Sequence, residues 1–161
     1  MNGQPLNGPL EIGLRALALL ISAFPRSYDI ATLAFLDYSL LHSNDFGGPE
    51  SLHPDVPNHQ TEITVKRDLL ELGLQVMMRA RLVALEVESN GIRYAATENA
   101  SGFVDLLESS YVDELKGRAD WVVQTFGGID PVELRSRMTA LGRWTEFVDI
   151  ERGSFEEAGD E

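Results

Sequence analysis

The residues with the most chemistry open to them are three histidines and a group of carboxylates. His42, His53 and His59 lie in or beside one stretch, FGGPESLHPDVPNHQTE, which runs from Phe46 to Glu62, holds Glu50 and Asp55, and follows Asp45. Imidazoles among carboxylates could ligate a divalent metal, but these spacings match no zinc pattern and the chain has no cysteine. Ser51 and His53 pair a hydroxyl with a base. Two residues apart on an irregular loop, they have no fixed geometry, and no nucleophile elbow or oxyanion motif accompanies them. The segments FGG and GG lack the spacing and the lysine of a phosphate-cradling loop. The favoured reading is that the histidines cap, pack or face water. No catalytic, metal or cofactor residue is assigned, and the expectation is a protein that is not an enzyme.

The elements that would position this loop are helical. Pro9 suits a first helical position and Glu11 a first turn. Leu10, Leu14, Leu17, Ile21 and Phe24 then recur as one apolar face. Asp29 is a good cap for a second helix, with Ile30, Leu33, Leu36, Leu40 and Leu41 inward and an end near His42. After the loop, Thr61 or Thr64 can cap a third helix running to about Ala80, with Leu69, Leu70, Leu74, Met77 and Met78 on its apolar face. The period then changes from helix to strand. Val83, Leu85 and Val87 alternate with Ala84, Glu86 and Glu88, as in a half-buried strand, and Ser89–Gly91 gives a hairpin signal before Ile92, Tyr94 and Ala96 return. Further on, Phe103, Leu106 and Leu107 mark a short helix. Ser110 with Asp113 reads as a capping pair for a helix with Tyr111, Leu115, Val122 and Phe126. Asp130, Pro131 and Glu133 open a last helix, continued by Leu134, Met138, Leu141 and Val148.

Three helices followed by a hairpin is the order of a winged helix. The predicted fold is therefore α+β and mostly helical: a winged-helix-like core of three helices plus a β-hairpin wing, with a C-terminal helical extension. The core is expected over residues 1–108 with the long inter-helix loop at 42–62, the extension over 109–150 packed on the same domain, and an acidic flexible tail over 151–161. The longest apolar run, Ala16–Phe24, is too short to span a bilayer, and no basic region marks the N-terminus as a signal peptide, so a cytoplasmic protein with no membrane contact is expected.

Charge separates the possible partners. The net charge is -13, from 26 acids and 13 bases, which repels nucleic acid unless a basic patch overrides it. The third helix offers Lys66, Arg67, Arg79 and Arg81, but Asp68 and Glu71 offset two of them, and the wing sets Glu86 and Glu88 against Arg93 alone. DNA readers of this type also join the second and third helices by a short turn. The roughly twenty residues here are of a length that is usually functional or disordered. Phe46, Leu52 and Val56 among Pro49, Pro54 and Pro57 read as a semi-rigid loop that docks a partner through Phe46, Gly47, Gly48, Pro49, Glu50, Ser51, Leu52, His53 and Pro54. Trp121 and Trp144 default to core packing, with a partner-facing anchor as the sharper alternative. A winged-helix DNA-binding transcription regulator and a hydrolase built on the histidine loop remain the competing readings.

The stretches PLNGPLEIGLRAL, LDYSLLHSND, GGPESLHP, GIRYAATENA and RADWVVQTFG resemble the small middle component of ABC-type three-component systems, which include Lamassu-type anti-phage and anti-plasmid defence. The resemblance spans about residues 5 to 145, and GGPESLHP is its most specific piece. It implies a non-enzymatic scaffold or regulator, in a complex with an SMC- or Rad50-like ABC ATPase and an effector subunit that is often a nuclease. No sequence-specific DNA binding by this chain itself is expected.

Overall fold

A computed structural model of the chain describes residues 8–50 and 59–140. Over these residues it is mostly helical with one β-hairpin: α1 (Pro9–Ala23), α2 (Ile30–Leu41), a short 3-10 turn (Ser43–Phe46), α3 (His59–Arg79), β1 (Val83–Glu88), β2 (Gly91–Ala96), α4 (Ala100–Asp105), α5 (Ser110–Phe126) and α6 (Pro131–Ala140). Three helices thus precede the hairpin, as the periodicities predict. Residues 141–161, with Leu141, Trp144, Val148 and the acidic tail, lie outside the described residues.

Helix α1 is the hub. Pro9 occupies its start and Glu11 its first turn. It packs on α2, α3 and α5, so Ile12, Ala16, Leu17, Leu19, Leu20 and Ala23 are all buried. The expected single apolar face is wrong at both ends: Leu10 is 60% exposed and Phe24 49%. A helix surrounded by neighbours has no single stripe, and here small residues set the closest approach. A Cβ on Gly13 would stand 2.8 Å from the Gly73 carbonyl oxygen, so α1 and α3 cross backbone against backbone.

Local signals place several boundaries. Asp29 Oδ1 accepts from the Thr32 amide at 2.8 Å and caps α2. Asp130 Oδ1 accepts from the Glu133 amide at 2.8 Å ahead of Pro131. Two expected caps are displaced. Helix α3 starts at His59, which puts Thr61 and Thr64 inside it. Helix α5 is entered from Ser109 in extended conformation, with no side-chain cap bond, so Ser110 is its first residue and the pairing with Asp113 is one position out. In α4 the buried residues are Ala100 and Val104, whereas Phe103 and Leu106 are exposed.

The hairpin is antiparallel with Glu88 opposite Gly91, leaving Ser89 and Asn90 at its tip. Glycine at 91 has φ 131°, a conformation few other residues adopt. Strand β2 is also held on its other side, where the Tyr28 amide donates to the Tyr94 carbonyl at 2.9 Å and the Tyr94 amide to the Tyr28 carbonyl at 2.8 Å. The alternation of Val83, Leu85 and Val87 is present, but only Val83 is buried. The hairpin root enters the core while its outer half projects. One apolar cluster joins α1–α3, the hairpin root and α4–α6.

Candidate functional site

The loop that the sequence singles out begins at the end of α2, and its first half is fastened down bond by bond. The His42 carbonyl accepts from the Asp45 amide at 2.9 Å, and the Ser43 carbonyl from the Gly48 amide at 2.9 Å. Ser43 Oγ donates to the Pro49 carbonyl at 2.7 Å. From across the molecule, Arg118 Nε on α5 donates to the Glu50 carbonyl at 2.9 Å. Proline rings remove donors from such a segment, and side chains recruited to its carbonyls satisfy the acceptors that remain.

The two adjacent glycines serve different needs. Gly47 sits at φ 75°, ψ 15°, the left-handed region in which glycine carries no steric penalty. Gly48 lies against the indole of Trp121, where any Cβ would overlap the ring. Beside it, the Phe46 ring packs edge-on against Phe126 at 5.4 Å, Tyr38 at 6.1 Å and Phe35 at 6.2 Å, and Trp121 meets Phe126 at 6.1 Å. Aromatic edge-to-face pairs at these separations are attractive beyond the area they bury. Phe46 and Trp121, both half-buried, therefore spend these ring faces within the chain, while Gly47 and Glu50 face outward. Ser51, Leu52, His53 and Pro54 lie outside the described residues.

Among the histidines, His42 is buried with its ring against Tyr38, centroids 4.5 Å apart. Among the described residues no group of three His, Asp or Glu side chains is placed to hold a metal. A cleft of about 570 Å³ carries Arg26, Ser27, Asp29 and Arg93. Its arginines are engaged: Arg93 donates to Ser27 Oγ at 3.0 Å and to the Ser27 carbonyl at 2.6 Å, and Arg26 to the Gly127 carbonyl at 3.3 Å. The wing's one base is thus directed to its own chain.

A buried ion pair escaped the sequence reading. Arg15 of α1 grips Asp37 of α2 with Nε on Oδ1 at 2.8 Å and Nη2 on Oδ2 at 3.2 Å, both side chains almost fully buried. Burial alone would lower the pKa of this guanidinium, but the Asp37 carboxylate outweighs it and leaves the value raised. Tyr111 of α5 lies within reach of both. The signal was a single charge inside each of two apolar runs, GLRALALL and AFLDYSLL.

The contacts join pieces far apart in sequence. Residues 46–50, which include the start of GGPESLHP, lie on the segment RADWVVQTF through Gly48–Trp121, Glu50–Arg118 and Phe46–Phe126. These are two of the stretches that carry the family likeness. The family model described as ABC-three component (ABC-3C) system Middle Component 2 matches residues 5–146. The chain belongs to this family. A search of curated proteins and a search of solved structures each returned no match. As a Middle Component 2 protein it is a component of an ABC three-component system. Among the described residues of this family member, no helix is long and apolar enough to cross a membrane.

Proposed function

We propose that this Middle Component 2 protein is a non-catalytic scaffold or regulatory subunit, which links an SMC- or Rad50-like ABC ATPase to an effector, often a nuclease, in a Lamassu-type defence complex. The observation that carries this reading is the use of polar side chains around the loop. Ser43 and Arg118 hold backbone carbonyls of Pro49 and Glu50. They position a chain segment, as a docking surface requires, and do not converge on a point where a substrate atom would sit. Residues 46–54 form the proposed docking element; its described part, 46–50, rests on Trp121 at Gly48, and Leu52 and His53 are the positions chosen to test it. Acidic charge and the engagement of Arg93 with Ser27 make a DNA-reading wing the weaker reading.

The test is co-expression with the proteins encoded beside it, followed by size-exclusion chromatography with mass detection. A stable peak with a large ATPase is expected. Replacing Leu52 and His53 by acidic residues should weaken that complex while circular dichroism of the isolated chain stays unchanged. A complex that survives the double substitution removes the loop from the interface. A lone monomer or dimer of the wild-type chain, together with a salt-dependent shift of duplex DNA, would favour the transcription regulator.

A further inference from the structure

The hairpin has two edges, and the structure uses them differently. In an antiparallel pair, successive residues turn their N–H and C=O alternately toward and away from the partner strand. The Thr97 amide donates to the Leu82 carbonyl at 3.0 Å, which fixes the phase. With the register Val83 to Ala96, Leu85 to Tyr94 and Val87 to Ile92, residues Ala84, Glu86 and Glu88 bond inward to β2. Val83, Leu85 and Val87 turn their backbone groups outward. Tyr94 checks this phase independently: it must face away from β1, and both of its backbone groups are indeed taken by Tyr28. On the opposite edge, no described residue bonds the outward groups of Leu85 and Val87. The side chains there are open too: Leu85 is 44% exposed, Val87 77%, and the cross-strand neighbour Ile92 49%.

Natural proteins blunt an open strand edge, because it templates pairing with another chain. Here the blunting is one-sided. Glu86 and Glu88 are exposed on β1. If β1 paired with a second copy so that Leu85 met Val87, Glu86 would stand directly opposite Glu86 of that copy. If Val87 met Val87, Glu86 would stand opposite Glu88. Like charges directly opposite one another destabilise a pair. The chain's own residues 151–161, with five acids and one arginine, are repelled for the same reason. An incoming strand carrying Lys or Arg across from these glutamates and apolar residues across from Leu85 and Val87 is favoured on both faces.

We propose that the outer edge of β1 is a strand-addition site for an extended segment of another protein, one that alternates apolar and basic residues. The incoming segment exchanges backbone hydrogen bonds with Leu85 and Val87 and lays its apolar side chains on Leu85, Val87 and Ile92. This inference rests on the reading of the chain as a subunit and adds to it a second contact, separate from the 46–54 loop.

The test measures amide hydrogen exchange and affinity for the full chain, alone and with the purified co-encoded proteins. Val87→Pro removes an outward N–H and leaves the bonds to β2 in place, since proline is tolerated where that N–H faces solvent. The expected result is slowed exchange at Leu85 and Val87 on binding, with affinity reduced about fivefold or more by Val87→Pro, the effect of losing a backbone hydrogen bond. The double variant Glu86→Lys with Glu88→Lys, which changes no backbone bond, should weaken binding as well. If the wild-type chain binds and exchange at both amides is unchanged, the edge proposal is overturned and the subunit reading stands. If binding survives the charge reversal, the basic partner is overturned. Protection in the isolated chain, whether or not it rises with protein concentration, means that a second copy or the chain itself covers the edge, and this too overturns the proposal. A wild-type chain that captures neither co-encoded protein overturns both readings together.

Discussion

Gly48 and Trp121 form the contact on which the seated loop depends most directly, and their coupling is measurable. A Cβ at position 48 would enter the indole. Overpacking of this kind costs about 1–3 kcal/mol when the neighbour cannot retreat. Trp121 is hemmed in by Phe126 at 6.1 Å and cannot easily give way. Gly48→Ala should therefore lower the urea midpoint by an amount equivalent to about 2 kcal/mol. In a Trp121→Ala background the same substitution should cost little, because the obstructing ring is gone and the two sites are coupled. Equal costs in the two backgrounds would mean that the loop does not rest on the ring. At this scale the sequence was legible in part. It singled out residues 46–54 as a docking loop and left Trp121 between core packing and a partner-facing anchor, but it assigned Phe46 an outward role. The rings that draw Phe46 inward belong to α2 and to Phe126 of α5, eighty residues away, and no local pattern links them.

The junction between α3 and β1 shows how an element boundary can be set without its usual residue. Arg81 has φ 62°, and the Leu82 amide bonds the Met77 carbonyl at 2.9 Å while the Arg81 amide bonds that of Met78 at 3.0 Å. This is the Schellman end of a helix, whose left-handed position is most often glycine. A side chain there costs roughly 1–2 kcal/mol, offset in part by the extra freedom glycine has in the unfolded chain. Arg81→Gly should thus stabilise the protein by about 0.5–1 kcal/mol. A thermal melt would show this as a higher midpoint, and a lowered one would mean that the arginine side chain supplies more than its backbone costs. The sequence showed a change of period here without showing the cap that makes it. More generally, elements were legible where the chain carries its own punctuation, as at Asp29 and Asp130. They were misread where burial depends on neighbours. Alternation in β1 tells which residues share a face, but not whether anything covers that face, and so Leu85 and Val87 are exposed. In α1 the apolar residues run all round because α2, α3 and α5 surround it, and the decisive positions were the glycines at 13 and 73.

At the scale of the whole molecule, three tyrosines tie distant parts together and make its stability sensitive to alkali. Tyr28 donates its hydroxyl to the Gly127 carbonyl at 2.9 Å, joining the α1–α2 link to the end of α5. Tyr94 lies near Glu71 of α3, and Tyr111 beside Arg15 and Asp37. All three have raised pKa values, for each chiefly because burial disfavours the phenolate. Glu71 adds to the rise at Tyr94; at Tyr111, Arg15 opposes it while Asp37 and Glu11 reinforce it. A folded value above the unfolded one, about 10, means that the folded chain holds its protons more tightly. The resulting stability is fully present below about pH 10 and is lost as pH rises through the folded values. A net charge of -13 acts in the same direction, since each phenolate adds to the self-repulsion of an acidic chain. Salt separates the two causes, because it screens exposed charges far more than buried ones. Urea midpoints followed from about pH 8 to about pH 11 should fall above pH 10 and should still fall in high salt. Tyr111→Phe removes one of the three titrations and should make that fall shallower. If high salt abolished the fall altogether, overall charge and not the buried tyrosines would be its cause.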